Sequence, residues 1–181
     1  MSLTLITPPA LEPVTLAEAK AHLKLDTAAE DTLIASLIAA ARARAEWHTG
    51  RALVTQGWTL WLDAWPHEAI AEIPLPPLQA VTAVALHAPD NVRTALETSA
   101  YRVDTASEPG RLVFEMEPPV LRRFNAVEIA FTAGYGSAVP AAVKEAVLEI
   151  VAELYTHRGD EDGACGLAAQ ALLAPYRIFK L

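Results

Sequence analysis

The chain has 181 residues, of which 52% are hydrophobic and 20% are charged, and its formal net charge is −8 at pH 7. This composition supports a hydrophobic core and argues against long disordered segments. The acidic balance argues against a protein that grips nucleic acid through its phosphates, because such a protein needs a basic surface. A single cysteine, Cys165, excludes an internal disulfide and a zinc cluster built from thiolates.

The sequence has no segment typical of secretion or of a membrane. No stretch reaches the roughly 18 unbroken apolar residues of a membrane span. The first residues, MSLTLITPPALEP, lack the basic region of a signal peptide. We therefore expect a soluble intracellular protein that does not bind a membrane.

Residues 1–13 predict an extended arm, because Pro8, Pro9 and Pro13 disfavour a helix. Such an arm is either a loose terminus or a strap that docks on a neighbour. A short helix follows at Thr15–Leu25, where Thr15 and Glu18 match a capping box.

The longest predicted helix covers Thr27–Gly50. Thr27 and Glu30 match a second capping box, and Gly50 stands where a helix C-cap glycine is expected. Apolar residues recur at helical spacing on more than one side of this helix. The helix is either a core helix of a small bundle, or one with a face for its own core and another for a neighbouring subunit.

The middle of the chain predicts several short strands separated by turns, and therefore a compact antiparallel sheet or sandwich. The proline-rich run Ile73–Leu78 is either a strand edge or crossover, or a ligand for an aromatic groove. The predicted strands are Val54–Asp63, Val81–His87, Ala100–Asp104, Arg111–Glu115 and Asn125–Thr132.

The C-terminal part predicts a core helix at Ala141–His157 and a short apolar helix at Leu167–Leu173. The apolar tail Tyr176–Leu181 either packs back on the core or inserts into a partner. The predicted fold class is α+β: a small helical bundle of two N-terminal helices with one long and one short C-terminal helix, carrying an inserted antiparallel β subdomain. The predicted boundaries are 1–52 for the arm and first helices, 53–136 for the β subdomain, and 137–181 for the last helices and tail.

Motifs for chemistry are lacking, so we predict no catalytic, cofactor-binding or metal-binding residues. The glycine-rich stretch Phe131–Pro140 lacks the lysine of a phosphate-binding loop. The five histidines show no metal-ligand spacing, and the acidic run Asp160–Asp162 lacks the spacing of a calcium loop. The acidic neighbours of Cys165 disfavour a reactive thiolate. Arg42, Arg44 and the pair 122–123 are too few for a DNA-binding face and fit solvated positions or ion pairs between subunits.

Six segments stand in an order that characterises a known family: Glu12–Asp26, Asp31–Arg42, Thr49–Arg51, Tyr101–Asp104, Phe131–Gly136 and Ala174–Arg177. In this order the chain resembles the head–tail connector (adaptor) proteins of long-tailed phages and of phage-derived gene transfer agents. The resemblance covers nearly the whole chain.

The resemblance implies a structural role without catalysis. Members of this family form a ring between the portal and the tail-side components of a particle assembled in the bacterial cytoplasm, and DNA passes through the ring without specific binding. The family has no catalytic residues to transfer, so the candidate sites are contact surfaces on the long helix and the tail. The candidate contact residues are Leu33, Ile34, Leu37, Ala40, Arg44, Trp47, Pro175, Tyr176, Ile178 and Phe179.

Two other classes of function remain open from the residues alone. One is a small intracellular α+β enzyme of hydrolase type, which would require a pocket with several ionisable side chains. The other is a DNA-packaging accessory protein that binds duplex directly, and whose binding would fall steeply with salt.

Overall fold

The computed structural model describes residues 1–157 and 166–178 of the chain. It has an α+β fold that divides into two compact units. The β unit comprises residues 1–10 and 55–135, and the helical unit comprises residues 11–54 and 136–181. The expectation that residues 1–13 form a loose arm or strap is wrong for the first ten, because they belong to the β unit.

In its described part, the helical unit contains four α-helices that pack on one another. Helix α2 contacts α1, α3 and α4, and α3 also contacts α1 and α4. Isoleucine and alanine at helical spacing give α2 a narrow apolar face that lets other helices approach closely, and all four of these residues are buried: Ile34, Ile38, Ala41 and Ala45. The four helices are α1 (Leu16–Leu23), α2 (Asp31–Thr49), α3 (Ala141–His157) and α4 (Leu167–Leu173).

Helix α1 begins with the predicted capping box. The Glu18 amide donates to Thr15 Oγ1 at 3.2 Å, and the Thr15 amide donates to Glu18 Oε2 at 2.6 Å. These bonds satisfy amides that the first turn of a helix leaves without partners. The bond from the Thr15 amide is the main reason that the pKa of Glu18 is lowered.

The second predicted capping box, at Thr27 and Glu30, is wrong. Helix α2 begins only at Asp31, and its N-cap Glu30 makes no capping bond with its side chain. Instead the Glu30 carboxylate accepts a hydrogen bond from the hydroxyl of Tyr155 on α3. The side chain that the local pattern assigned to the cap therefore binds a partner that is distant in sequence.

The predicted C-cap of α2 is confirmed. Gly50 has φ +72°, and its amide donates to the Glu46 carbonyl at 2.9 Å. Glycine takes this left-handed conformation without the steric cost that a Cβ atom brings.

The β unit contains two antiparallel sheets. The larger has the strand order β1-β2-β8-β4-β5 and the smaller has the order β3-β7-β6. All five predicted strands are present, whereas β1, β3 and β5 were not predicted. The run Ile73–Leu78 is the crossover from β3 to β4, and so from one sheet to the other. The strands are β1 (Ser2–Thr7), β2 (Gln56–Leu62), β3 (Ile70–Ile73), β4 (Leu78–His87), β5 (Arg93–Ala95), β6 (Tyr101–Asp104), β7 (Gly110–Phe114) and β8 (Val127–Ala133).

Strand β8 lies at the centre of the larger sheet. Its residues alternate as predicted, with Val127, Ile129 and Phe131 buried. Ile129 pairs with Leu60 of β2 on one side and with Val84 of β4 on the other. This row of apolar side chains forms the middle of the β unit's core.

A polar cluster ties β5 to the larger sheet. Glu128 Oε2 lies 2.9 Å from His87 Nε2 and accepts from Arg93 Nε at 2.9 Å. The hydrogen bond from Arg93 is the main reason that the pKa of Glu128 is lowered, and burial opposes it. The ring of Trp61 lies 5.6 Å from that of His87 and covers the cluster.

The two sheets approach each other where Gly110 of β7 faces Leu78 of β4. A Cβ atom built on Gly110 would lie 2.6 Å from Leu78 Cδ2, a distance that real Cβ atoms do not show. Nearby, the rings of Trp65 and Phe114 are 4.4 Å apart. Glycine at position 110 therefore sets how close the sheets come.

We predict that Gly110→Ala lowers the free energy of unfolding by about 1–3 kcal/mol, the usual cost of overpacking a core. Urea unfolding measures this loss. In a Leu78→Gly background the same substitution should cost clearly less, because both atoms that it would meet, Cδ2 at 2.6 Å and Cβ at 2.8 Å, are gone. An equal cost in both backgrounds would contradict this packing.

We also predict that acid weakens the hairpin of β6 and β7 through Asp104. This carboxylate accepts hydrogen bonds from Ser107 Oγ at 2.6 Å and Arg111 Nη2 at 2.8 Å, and these bonds hold its pKa well below the ordinary 3.8. Its stabilisation is therefore present above the unfolded-state pKa and is lost as the pH falls through the lower folded-state value.

The Asp104→Asn variant lacks the titrating group. Between about pH 5 and about pH 2 it should lose less stability than the wild type in urea titrations. Equal losses would show that the folded-state pKa of Asp104 is not lowered.

Candidate protein interfaces

One side of α2, away from its buried residues, carries apolar side chains that the described part of the chain leaves open or only half-covers. Trp47 is 86% exposed and Leu33 is 38% exposed. Ala40 is also exposed, and Leu37 and Arg44 are half-buried. We call these five residues the α2 outer face. Tryptophan is highly buried on average, so an indole as open as that of Trp47 is unusual.

One candidate contact residue on α2 lies elsewhere. Ile34 is fully buried, with 0% exposure, and points to the same side as Ile38 and Ala41. Its assignment to a partner surface is therefore wrong. In an α-helix, neighbouring residues are about 100° apart, so Leu33 and Ile34 face different surroundings.

The charges around the α2 outer face are mostly satisfied within the helical unit. Arg42 donates to Glu12 at 2.8 Å and to Glu46 at 2.6 Å. Burial lowers the pKa of His48, and the charge of Arg177 lowers it further, so His48 is neutral at pH 7. Arg44 makes no hydrogen bond or ion pair with any described residue. The face is thus apolar with one free cation.

The tail packs back on the helical unit as far as the structure describes it. Arg51 Nε donates to the Tyr176 carbonyl at 2.5 Å, and the Ile178 amide donates to the Thr49 carbonyl at 2.9 Å. Pro175 is exposed, while Tyr176 and Ile178 are half-buried. Of the two expectations for the tail, packing on the chain's own core therefore applies up to Ile178. Phe179 lies outside the described residues.

A second exposed apolar patch was not predicted from the sequence. Val120 is 79% exposed and Phe124 is 67% exposed, both on the loop of residues 115–126 between β7 and β8. Val92, in the turn between β4 and β5, is 54% exposed. We call these three residues the tip patch. This loop has no periodic pattern of residues that would distinguish an exposed Phe124 from a buried one.

Hydrogen bonds fix the loop that carries the tip patch. The Arg122 guanidinium donates to the Asn125 carbonyl from Nε at 2.9 Å and from Nη2 at 2.6 Å, and the Arg122 amide donates to the His87 carbonyl at 3.0 Å. The Asn125 amide donates to Asp63 Oδ1 at 3.1 Å. Arg122 thus serves the loop itself, and it also reaches Asn91 of the β4–β5 turn at 3.4 Å.

Features of other kinds of site are sparse. In residues 1–157 and 166–178, no three His, Cys, Asp or Glu side chains are grouped so that they could hold a metal ion. None of the helices described is long and apolar enough to cross a membrane. An open pocket of about 300 Å³ on α3 and α4 is lined by eight residues that include Glu149 and Glu153. Glu153 is engaged by the Gly166 amide at 2.9 Å. The run Asp160–Asp162 and Cys165 lie outside the described residues.

Comparisons with known proteins agree on one kind of relative. Residues 13–108 match the family model described as phage gp6-like head-tail connector protein. The chain is 31% identical to a chain in the neck of an empty GTA particle computed with C6 symmetry, with a TM-score of 0.84, and the match covers 100% of this chain and 97% of that one.

Two further solved structures are similar over the same shares of both chains. One is the virion of a native gene transfer agent (GTA) particle, at 30% identity and a TM-score of 0.85. The other is the neck of a native GTA particle computed with C12 symmetry, at 28% identity and a TM-score of 0.75. No curated protein matches the chain.

We predict that adjacent residues of α2 differ sharply in their effect on stability. Ile34→Ala should cost about 2–5 kcal/mol, because it leaves a cavity in the core. Leu33→Ala should cost clearly less, at most about 1 kcal/mol, since 38% of its surface is open to water. Urea unfolding of the two variants in parallel checks the assignment. Similar costs would mean that Leu33 also belongs to the core.

Proposed function

The chain belongs to the family of phage gp6-like head-tail connector proteins, and we propose that it forms a ring between the portal and the tail-side components of a phage or gene transfer agent particle. As a member of this family it is a structural connector subunit. We propose that the chain lies at the head–tail junction of the particle. Its proposed partners are further copies of itself, the portal protein and a tail-side connector or terminator.

The observation that carries the proposal is the length of the similarity. At 31% identity it extends over 100% of this chain and 97% of a chain in a GTA neck. Both units are therefore matched, whereas a shared module would match only one. The solved necks were computed with C6 and C12 symmetry, which is the symmetry of rings. A ring is the assembly that we propose for this chain.

The α2 outer face is the proposed contact between copies. A closed ring needs a heterologous interface, in which one patch of each subunit meets a different patch of the next. Burying the indole of Trp47 would remove a large apolar surface from water, and tryptophan is among the residues that most often dominate the energy of an interface. Arg44 offers one cation for an ion pair at the same place.

The tail is the proposed contact with the portal or the tail side. Pro175 is exposed, and Tyr176 and Ile178 are only half-covered by the chain itself. The backbone bonds of Tyr176 and Ile178 to Arg51 and Thr49 hold the described part of the tail on the helical unit. A partner would then meet a tail that is already oriented.

The passage of DNA is part of the proposal. The net charge of −8 means that a ring of these subunits repels phosphate on average. A duplex could then move through the ring without binding to it. The role needs no catalysis, and we propose none.

We also propose that the four helices form the small bundle implied by the resemblance, with the β subdomain carried between its second and third helices. The contacts of α2 with α1, α3 and α4 support this arrangement. On this view the boundaries near residues 52 and 136 separate the helical part of the chain from the β subdomain.

We predict that Trp47→Asp abolishes tail attachment and leaves the isolated chain folded. The substitution removes the large apolar side chain that the interface would bury and puts there a charge that must lose its water, whereas in the free subunit the residue faces water. Electron microscopy of particles made with the variant gives the fraction that carries tails, and urea unfolding gives the stability.

The matched control is Ala35→Asp, an exposed position on another side of the same helix. It should leave tail attachment at the wild-type level. If particles with Trp47→Asp carry tails normally, the α2 outer face is not a contact. If particles lacking the whole chain carry tails, the connector role itself is wrong.

A further inference from the structure

The tip patch has no part in the function proposed so far, although it exposes three large apolar side chains. We propose that the tip patch is the counterpart of the α2 outer face, so that Val92, Val120 and Phe124 of one copy pack on α2 of the next. This inference rests on the proposed ring and names the second patch that a heterologous interface needs.

Exposure and rigidity together suit the tip patch to this role. Phe124 and Val120 are 67% and 79% exposed, and Arg122 and Asn125 hold the loop between them in one conformation. An apolar side chain on a fixed loop loses little conformational entropy when it binds. The exposure is therefore built into the fold.

Unpaired charges on the two surfaces are complementary. Glu117 on the loop of the tip patch is exposed and makes no hydrogen bond or ion pair with a described residue, and the same holds for Arg44 on α2. The two can pair across the interface. Arg123, exposed beside Phe124 and likewise without a described partner, can lie over the indole of Trp47, a contact that arginine favours.

The side chains of the two surfaces also differ in size in a complementary way. From Leu33 to Trp47 the α2 outer face runs about 21 Å, at the rise of 1.5 Å per residue of an α-helix. Its centre is the small Ala40, between the larger Leu37 and Trp47 along the helix. A large exposed side chain such as that of Phe124 can pack against Ala40 there. Because each chain carries both surfaces, the occupant that we propose is a second copy of this chain.

Cross-linking between two single variants tests the contact. In a Cys165→Ser background, one set of chains carries Ala40→Cys and another carries Arg123→Cys, and particles are assembled from a mixture of both. A short bismaleimide should then give covalent dimers, whereas either variant alone should give none. Chains that carry both substitutions should give a ladder beyond the dimer, because a heterologous contact continues from copy to copy.

The control pair replaces Arg123→Cys with Val103→Cys, an exposed position on β6 away from the tip patch. It should give no dimers. Particles that keep their tails but give no Ala40–Arg123 dimers, or give as many with the control pair, overturn this inference and leave the proposed function standing. Particles that assemble with tails in the absence of the chain overturn both.

Charge reversal gives a second readout. Arg44→Glu and Glu117→Arg should each reduce the fraction of tailed particles, and the double variant should recover most of the loss. A double variant that is as defective as the sum of its parts contradicts the pairing of these two residues.

Discussion

Helix α2 packs on the other helices of its unit through one face only. The rest of the structure depends on this separation between a buried face and an open side. Ile34, Ile38, Ala41 and Ala45 are buried, so the other helices anchor α2 from that side. Such packing leaves no freedom for the opposite side to turn inward, and Trp47 therefore stays exposed. The same physical constraint that stabilises the helical unit also leaves open the apolar face that we propose as a contact with a neighbour. A chain of this kind can be stable alone and still complete its burial only in an assembly.

Local signals were enough to predict much of this architecture. The capping box at Thr15, the C-cap glycine at position 50 and the alternation along β8 each depend on residues close in sequence, and all three are confirmed. Membership of the connector family followed from the order of segments, and the family model confirms it. The α2 outer face could also be listed from helical spacing, although the spacing alone did not show that Ile34 belongs to the core.

Partners distant in sequence explain what could not be predicted. Strand β1 forms because Leu3 pairs with Leu60 on β2, and nothing within the first thirteen residues indicates that pairing. The local sequence around Glu30 matches a capping box, but in the structure the Glu30 carboxylate accepts a hydrogen bond from Tyr155. The tip patch was missed for the same reason, since the hydrogen bonds that fix the loop around Phe124 join Arg122 to His87 and Asn125 to Asp63. Side-chain partners of this kind depend on the folded structure, and no periodic pattern in the sequence identifies them.

The most direct test of the account is the solvent accessibility of Trp47 in the free chain and in assembled particles. Hydroxyl-radical footprinting read by mass spectrometry measures it, because exposed tryptophan oxidises readily. The account predicts that Trp47 is oxidised in the isolated chain and protected in tailed particles, while an exposed residue outside the proposed contacts, such as Leu11, changes little. Equal oxidation of Trp47 in both states would contradict the claim that this protein works by burying the open side of α2 against its neighbours.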